Sequence, residues 1–289
     1  MKTYIECMPC FINQAINTSN ILRIPQSKRL IIIKKVCSVM SRQDLSRPPV
    51  YVAKEIYRII SDVAGVKDPF LKIKKQSTKL SLALYPKIKK IVDKDRNSLK
   101  KAVEMAGAGN VIDFGAKSAG HIDKQVDSFM RGKMSSFQKD IGYQSFNKFG
   151  KKVVTAKSLL YIADNVGETI FDRILIEEII KINKSIKITY VVRSQPILND
   201  ALIADAKSAG LDSLVKIISA GKGYPGLIME KTNKEFKDKF KKSDIVIAKG
   251  QGNFEALSEY YKKIFFLFLV KCPIVAKHSD SKVGTIIFR

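Results

Sequence analysis

The stretch that decides the fold runs from Ser158 to Glu168 and reads SLLYIADNVGE. Its first six residues are apolar almost without a break, which is typical of a strand that is buried on both faces of a parallel sheet. The polar pair Asp164-Asn165 and Gly167 then mark a turn. From Glu168 to Lys181 the apolar residues recur at helical spacing. A buried strand followed directly by an amphipathic helix is the repeating unit of parallel α/β proteins.

The same alternation of strand and helix continues to the C-terminus. It predicts further strands at 186–192, 215–219, 244–248, 264–270 and 285–288, with helices at 198–209 and 254–261. Val111–Phe114 predicts an earlier strand, and residues 115–157 are expected to form an irregular or helical insertion. We therefore predict an α/β fold with three α/β/α layers and a mainly parallel sheet.

The first hundred residues have a different pattern. From Pro9 to about Lys101 the apolar residues recur every three or four positions, as expected for helices. One helix is expected to end at Gly65, another to run from Leu71 to Pro86, and a further one to cover 96–106. The sequence thus predicts an N-terminal helical domain over residues 1–105 and an α/β/α catalytic domain over residues 106–289.

The charge of the chain is strongly positive. The 289 residues include 52 Lys and Arg against 27 Asp and Glu, which gives a formal charge of +25. Lys accounts for 42 of the basic residues and Arg for 10, and they are spread along the whole chain. Recognition of nucleic acid favours Arg and a basic face with exposed aromatic residues, whereas abundant Lys and Ile are typical of an AT-rich genome. We therefore do not expect nucleic acid to be the partner of this chain.

The cysteines and the apolar segments indicate a cytoplasmic protein. Four cysteines are too few and too irregular for a disulfide framework. The longest apolar run, Ile264–Val270, is too short to cross a bilayer. Cys7 and Cys10 form a lone CxxC, which is consistent either with a zinc or redox site or with two thiols packed on one helix face. The oligomeric state is left open.

Polar residues follow two of the predicted strands, at the edge where α/β sheets bind ligands. Asp164 and Asn165 offer two oxygen donors to a hard cation, although both residue types are also common helix N-caps. Asp200 opens the predicted helix at 198–209, so it is either an N-cap or a third oxygen ligand at the same edge. Arg193 is positioned to meet a phosphate or to form a surface ion pair.

A third strand end carries a glycine loop, Lys249-Gly250-Gln251-Gly252-Asn253. The two glycines let backbone N–H groups approach an anion, and Lys249 adds a full positive charge. The spacing is not that of a Walker motif. Together, the three strand ends supply oxygen ligands for a divalent metal and a cationic cradle for phosphate, a combination that phosphoryl chemistry requires.

These motifs resemble those of the damage-control phosphatase family, and specifically of its stand-alone prokaryotic subgroup with an N-terminal CxxC. The resemblance covers essentially the whole chain. Its marks, in chain order, are Glu6–Cys10, Asp68–Phe70 with Lys74, Ala106–Gly115, Ala163–Glu168 with Phe171–Arg173, Val192–Arg193, Pro196, Asn199–Ala201, Asp244–Glu255 and Lys271–Pro273.

The resemblance implies metal-dependent hydrolysis of phosphate monoesters, typically of sugar phosphates and related damaged metabolites. It implies that Asp164, Asn165 and Asp200 bind the metal, for which Mg²⁺, Mn²⁺, Co²⁺ and Ni²⁺ are the candidates. It also implies that Lys249 contacts the phosphate. The remaining residues expected in the phosphate and substrate pocket are Asn110, Asp113, Arg193, Gly250, Gly252, Asn253 and Glu255. Of these, Asp113 or Glu255 is the expected general acid or base.

Two segments depart from the family pattern. One is His278–Lys282, where related chains tend to be more apolar. In the other, Ser194 follows Arg193 where a glycine is more usual, which puts the local shape of the pocket in doubt.

Two other functions compete with a phosphatase. Residues 111–120 resemble the cofactor-binding glycine loop of S-adenosylmethionine-dependent methyltransferases, but Lys117 replaces its central glycine. The second alternative is a basic nucleic-acid-binding protein. A haloacid-dehalogenase phosphatase needs Asp-x-Asp, and position 166 is Val. A cysteine phosphatase needs an Arg six positions after its Cys, and Cys272 has His278 there.

Overall fold

A computed structural model describes residues 1–109, 139–260 and 263–289 of the chain. Its helices are α1 (Cys7–Ile21), α2 (Gln26–Met40), α3 (Val50–Ala64), α4 (Leu71–Lys94), α5 (Ser98–Ala108), α6 (Tyr143–Thr155), α7 (Thr169–Ile182), α8 (Ile203–Ser208), α9 (Lys234–Lys242), α10 (Gln251–Leu257) and α11 (Pro273–His278). Its strands are β1 (Lys139–Ile141), β2 (Ser158–Ile162), β3 (Lys187–Val192), β4 (Lys216–Ser219), β5 (Ile245–Lys249), β6 (Ile264–Leu269) and β7 (Ile286–Phe288). No helix within these ranges is long and apolar enough to span a membrane.

The strands form one sheet in the order β1-β7-β6-β5-β2-β3-β4. The five strands from β6 to β4 in this order are parallel to one another. At the other edge, β7 is antiparallel to β6, and β1 is parallel to β7. The sheet is therefore mainly parallel, which confirms the predicted α/β class.

The strands predicted between residue 158 and the C-terminus are confirmed, each to within one residue at either end. The central strands β2, β5 and β6 were recognisable because nearly all of their residues are buried, so the apolar residues run almost without a break. The strand predicted at Val111–Phe114 lies outside the described residues, as does most of the insertion predicted at 115–157. The described end of that insertion forms β1 and α6.

Helices cover both faces of the sheet, because successive strand residues point to opposite sides. On β2, Leu159 and Tyr161 belong to a hydrophobic cluster with α4, α5, α6 and α7. Leu160 and Ile162, the residues between and after them, belong to a second cluster with α9, α10 and α11. This is the three-layer arrangement that the sequence predicts.

The N-terminal helices divide into two groups. Helices α1, α2 and α3 enclose a hydrophobic cluster of their own, in which Ile32, Val36 and Ile56 are fully buried. Helices α4 and α5 instead share the cluster of the sheet. Gly107 of α5 lies so close to the sheet that a Cβ atom there would be 2.6 Å from Cγ2 of Ile286. The boundary predicted between residues 105 and 106 therefore falls inside a shared hydrophobic cluster.

The end predicted for the helix that begins at Leu71 is wrong. The helix expected to end at Pro86 continues as α4 to Lys94. Proline within a helix costs about 3 kcal/mol or more, but the residues after Pro86 are held by tertiary contacts. Ile88 and Val92 are buried in the sheet cluster, and Nζ of Lys89 lies 2.7 Å from Oε1 of Glu178 on α7. Tertiary packing thus overrides the tendency of Pro86 to end the helix.

The helix predicted at 198–209 is also shorter than expected, because α8 begins only at Ile203. Its N-cap is Leu202, whose backbone N–H donates to Oδ2 of Asp205 at 2.9 Å. Asp200 is paired instead with Asn165 in an antiparallel bridge. The interpretation of Asp200 as a helix N-cap is therefore wrong.

Phe149 provides a test of the packing of α6. Its ring centroid lies 5.3 Å from that of Phe265 and 5.2 Å from that of Phe288, in edge-to-face contacts. We expect Phe149→Ala to lower the free energy of unfolding by about 3–5 kcal/mol in denaturant titrations, because the cavity left behind cannot be filled. Val154→Ala, on the exposed side of α6, is the control and should change stability by less than about 0.5 kcal/mol. Similar small losses in both variants would contradict this packing.

Candidate active site

A cavity of about 530 Å³ opens at the carboxyl ends of the central strands. After β2 the chain builds β3 and β4 on one side, and it then returns to build β5 and β6 on the other side of β2. The crevice between β2 and β5 is therefore the point where the strand order reverses. Open α/β sheets bind their ligands at this point.

Two sets of residues line the cavity. The first, which we call the floor, follows the strand ends and consists mainly of Asp164, Asn165, Glu168, Asp200, Gln251, Glu255 and Lys271. The second, which we call the helical wall, comes from the N-terminal helices and consists of Gln14, Val50, Ala53, Tyr57 and Ser77. Most side chains of the floor are ionisable, whereas those of the helical wall are uncharged at ordinary pH.

Asp164 and Gly250 meet in the crevice between β2 and β5. Gly250 has a φ of +82°, in the left-handed region that favours glycine. A Cβ atom at position 250 would overlap the carboxylate of Asp164. The carboxylate thus occupies a space that only glycine leaves open. Gly252 has a different reason to be glycine, since a Cβ there would overlap the carbonyl oxygen of Pro225.

The ends of β2 and β3 are joined by a short backbone bridge between Asn165 and Asp200. The N–H of Val166 donates to the carbonyl of Asn199 at 2.8 Å, and the N–H of Ala201 donates to the carbonyl of Asp164 at 2.9 Å. The side chain of Asn165 makes no capping bond to the short 3₁₀ turn that follows it. The bridge therefore brings the three predicted metal ligands to one side of the cavity.

Arg193 and Asn253 lie beneath the floor and hold it in place. Nε of Arg193 donates to Oδ2 of Asp200 at 2.7 Å, and both side chains are almost completely buried. Nη2 of Arg193 also donates to Oδ1 of Asn253 at 3.2 Å. Nδ2 of Asn253 donates to the carbonyls of Ala163 and Lys249, at 3.1 and 2.7 Å. Asn253 thereby links the ends of β2 and β5, and the surface-ion-pair interpretation of Arg193 is wrong.

Lys249 is also buried beneath the floor, with 0% of its surface exposed. By the alternation along β5 it points to the same side as Ile245 and Ile247, toward α7. Its Nζ lies 2.7 Å from Oε2 of Glu168 and 2.7 Å from Oδ1 of Asp172. A direct contact with phosphate requires an ammonium group at the cavity surface, whereas the ammonium of Lys249 lies behind Glu168.

Burial and crowding raise the pKa values of Asp164 and Asp200. Burial is the largest cause for Asp164, whose pKa is raised further by the charges of Glu168 and Asp200. The pKa of Asp200 is also raised by burial, although the adjacent Arg193 opposes the change. Carboxylates that raise one another's pKa in this way would be stabilised in their ionised form by a cation between them.

The predicted metal ligands fit a hard divalent cation by their chemistry. Asp164 and Asp200 supply carboxylate oxygens and Asn165 an amide oxygen, the donors that Mg²⁺ and Mn²⁺ prefer. Within the described ranges no three His, Cys, Asp or Glu side chains are arranged to hold a metal. The predicted set contains only two such residues, with Asn165 as the third ligand.

Glu255, also on the floor, ionises near neutral pH. Burial raises its pKa to about 7, against the hydrogen bond from Gln251 and the positive charges of the N-terminus and Lys271. Nε2 of Gln251 donates to Oε1 of Glu255 at 2.8 Å. Oε1 of Gln251 in turn accepts from the backbone N–H of Lys271 at 2.8 Å. Glu255 is therefore held in a fixed position on the floor.

The CxxC lies at the start of α1, within electrostatic range of Glu255 on the floor and of Cys272, which follows β6. Cys10 is exposed, and its Sγ accepts a hydrogen bond from Nε2 of Gln14 at 3.2 Å. Burial raises the pKa of the Cys7 thiol, as it does for Cys272. All four cysteines are free thiols. A zinc or redox role for the CxxC stays a prediction.

Two predicted site residues lie outside the described part of the chain, and several residues of the site were not predicted. Asn110 and Asp113 lie outside the described residues. The prediction missed Glu168 and Asp172 as a pair, although their spacing of four on a predicted helix places them on one face. It also assigned no role to Lys271. No local signal marks the helical wall, because its residues come from three separate helices.

The sequence model of the damage-control phosphatase ARMT1-like domain matches residues 3–287. The chain belongs to this family. It is 32% identical to a damage-control phosphatase of Pyrococcus horikoshii, over 99% of this chain and 97% of that protein. It is 27% identical to a damage-control phosphatase of Archaeoglobus fulgidus, over 99% and 98% of the two chains.

Two further comparisons extend over the whole chain. An uncharacterised protein of Methanocaldococcus jannaschii is 35% identical, over 98% of this chain and 94% of that protein. The crystal structure of a DUF89 family protein from Pyrococcus horikoshii superimposes with a TM-score of 0.85 at 32% identity. It covers 100% of this chain and 98% of its own. Membership in the ARMT1-like family supports a phosphatase role.

A Gly→Ala pair tests the contact between Gly250 and Asp164. We expect Gly250→Ala to lower the free energy of unfolding by about 1–3 kcal/mol or more, because alanine is strained at this φ and its Cβ displaces the carboxylate. Gly150→Ala is the matched control: a Cβ there meets nothing within 4 Å, and the glycine lies within α6. It should stabilise the protein by roughly 0.5–1 kcal/mol. Denaturant unfolding that gives the same sign for both would contradict the contact.

Glu255→Gln tests the burial of that carboxyl through the pH dependence of stability. Because the pKa rises from 4.5 unfolded to about 7 folded, the folded protein binds the extra proton between these values. Stability of the wild type should therefore fall as pH rises through this window. The neutral variant lacks this loss, so its advantage should grow from pH 5 to pH 8 and then level off. Thermal unfolding across this range measures it, and parallel curves for the two proteins would show that Glu255 titrates normally.

Proposed function

We propose that the chain is a metal-dependent phosphatase that hydrolyses phosphate monoesters of small metabolites, with sugar phosphates as the substrate class. The family and the names of two relatives support phosphatase chemistry. The proposal adds the metal, the residues that carry the reaction and the class of substrate. The residues that line the cavity at the strand ends support each of these additions.

The charge balance at the floor carries the proposal. Four carboxylates are buried there or directly beneath it: Asp164, Glu168, Asp172 and Asp200. Among the described residues, the buried cations bonded to them are Arg193 and Lys249. If all six of these groups are ionised, they carry between them an excess of two negative charges away from water, where it is costly. One divalent cation would balance this excess.

Asp164, Asn165 and Asp200 would hold this cation at the cavity surface. A bound divalent cation would neutralise phosphate charge and activate the attacking oxygen nucleophile. The positions of the three ligands are set by the protein itself. The backbone bridge fixes Asn165 against Asp200, and Arg193 fixes the carboxylate of Asp200 from below.

The opposite side of the floor supplies the groups that meet the phosphate. Among the described residues that line the cavity, Lys271 alone has a positively charged side chain. Its charge acts on both Asp164 and Glu255, so it lies within electrostatic range of both carboxylates. The backbone N–H of Gly250 is already bonded to the carbonyl of Leu267. The amides at the start of α10 that remain for an anion are those of the first turn, beginning at Gln251.

Glu255 is the proposed general acid or base. Its pKa of about 7 lies near neutral pH, where a group exchanges protons most effectively with a reacting oxygen. Its position on the floor, beside Lys271 and held by Gln251, keeps the carboxyl at the cavity surface. Asp113, the other candidate from the sequence, lies outside the described residues.

The helical wall supports a hydroxyl-rich substrate. Gln14, Tyr57 and Ser77, which carry an amide and two hydroxyl groups, line the cavity, and OH of Tyr57 donates to Oε1 of Gln14 at 3.1 Å. Neutral donors and acceptors of this kind bind sugar hydroxyls. Tyr57 is the one aromatic residue among the described lining residues. The described lining therefore offers little surface on which a nucleobase could stack.

Neither alternative function gains support from the structure. The glycine loop on which a methyltransferase depended, residues 111–120, lies outside the described residues. A nucleic-acid binder needs a basic surface at its site, whereas the floor of this cavity is acidic. Family membership also favours the phosphatase.

The proposal is tested by phosphate release from metal-stripped protein. Sugar phosphates, nucleotides and an aryl phosphate are supplied with Mg²⁺, Mn²⁺, Co²⁺ or Ni²⁺ added singly. We expect release only when a metal is added, with sugar phosphates hydrolysed faster than nucleotides. Equal release without metal would refute the metal dependence, and a preference for nucleotides would refute the substrate class.

Substitution of the carboxylate ligands tests their role. Asp200→Asn is preferable to Asp200→Ala, because the amide oxygen can still accept from Arg193, whereas alanine leaves a buried guanidinium unpaired. We expect Asp164→Asn and Asp200→Asn to remain folded and to lose phosphate release down to the level of the metal-free protein. Asp62→Asn, on the surface where Asp62 pairs with Arg58, is the matched control and should leave the rate unchanged. Substantial activity in Asp200→Asn would remove Asp200 from the site.

A further inference from the structure

Lys249 is anchored from below by Asp172. The two oxygens of Asp172 accept hydrogen bonds from the hydroxyls of Tyr161 and Tyr190, each at 2.7 Å. These tyrosines are direct neighbours on β2 and β3, and their rings are stacked with centroids 5.4 Å apart. Burial raises the pKa of both hydroxyls, so they remain donors. Asp172 is therefore fixed by the sheet and in turn fixes the ammonium of Lys249.

Glu168 connects Lys249 to the cavity. Its Oε2 accepts from Nζ of Lys249 at 2.7 Å, and its Oε1 accepts from Nδ2 of Asn165 at 2.8 Å. Each oxygen of the carboxylate thus has a different partner. Since Glu168 and Asp172 are four residues apart at the start of α7, one ammonium group can bind both.

The amide of Asn165 is held in one orientation. Its Nδ2 donates to Oε1 of Glu168 and also to Oδ2 of Asp164, the latter at 3.0 Å. A primary amide has two N–H groups, so both are engaged. Oδ1 is then the atom that is left to bind a cation. If the amide turned over, an NH₂ group would take the place of this oxygen.

We propose that Lys249 is a positioning residue: through Glu168 it sets the orientation of the Asn165 amide, and with it the affinity of the floor for a divalent cation. This inference rests on the proposed function, because it concerns the cation of the phosphatase site. It replaces the direct contact with phosphate that the family resemblance implies for Lys249. Outer residues that orient metal ligands commonly change metal affinity about 10- to 100-fold when they are substituted.

The network predicts an unusual reversal between a single and a double variant. Lys249 has only donors, so in Glu168→Gln it takes the one oxygen of the new side chain. The NH₂ group of that side chain then faces Nδ2 of Asn165, and the Asn165 amide turns over. Adding Lys249→Met frees the oxygen for Asn165, and the original orientation returns. The second substitution should therefore repair the first.

The experiment measures Mn²⁺ binding to the metal-stripped protein without substrate, by electron paramagnetic resonance of free Mn²⁺. We expect Glu168→Gln to weaken Mn²⁺ binding about 10- to 100-fold, and Glu168→Gln with Lys249→Met to recover most of the loss. Glu177→Gln is the matched control: it lies on the same helix, where Glu177 pairs with Tyr85 and Arg173, and should bind Mn²⁺ like the wild type. Inhibition by inorganic phosphate is measured in parallel, and thermal unfolding establishes that each variant is folded.

The outcomes separate this inference from the proposed function. Wild-type affinity for Mn²⁺ in Glu168→Gln would overturn the inference. If the double variant does not fold, the result for this single variant is sufficient to test it. A folded double variant that fails to recover Mn²⁺ affinity and loses inhibition by phosphate would also overturn it, in favour of a direct phosphate contact. If the wild type itself binds no Mn²⁺, it is the metal of the proposed function that fails.

Discussion

The carboxylate of Asp164 lies against the backbone of Gly250, in a space that any other side chain at position 250 would fill. This contact joins the two strands between which the order of the sheet reverses, so it places a negative charge at the base of the crevice. Because backbone encloses it, the charge is largely removed from water and must be balanced by its neighbours. The buried bonds of Arg193 and Lys249 lie around this position for that reason.

Such a network is not needed for a stable fold. Buried ion pairs are often no more stabilising than apolar residues of the same size, and the two hydrophobic clusters already cover the faces of this sheet. The charges are concentrated near the strand ends, where burial raises the pKa values of Asp164, Asp172 and Asp200. The free-energy cost of burying these charges is therefore concentrated at one edge of the sheet. Such a concentration is expected at a catalytic site, which agrees with the phosphatase relatives of the chain.

Most of the fold could be predicted because buried strands and buried helix faces each give a local pattern of apolar residues in the sequence. The strands were found from unbroken apolar runs, and the adjacency of Asp164, Asn165 and Asp200 followed from the rule that parallel strands end at one edge. What was missed depends on residues distant in the sequence. The continuation of α4 past Pro86 depends on contacts with α7, and the extended backbone at Asp200 depends on its bridge with Asn165. The burial of Lys249 could have been predicted, since it lies at the same spacing of two along the strand as Ile245 and Ile247 and so points to the same side of the sheet.

The cavity is built from two structural units that differ in their cores. The floor belongs to the sheet, while most of the helical wall belongs to α1 and α3, which pack around a separate hydrophobic cluster. Substitutions in that wall therefore need not disturb the charge network beneath the floor. The residues that surround a bound molecule can therefore change in the helices while the charged groups beneath the floor stay constant.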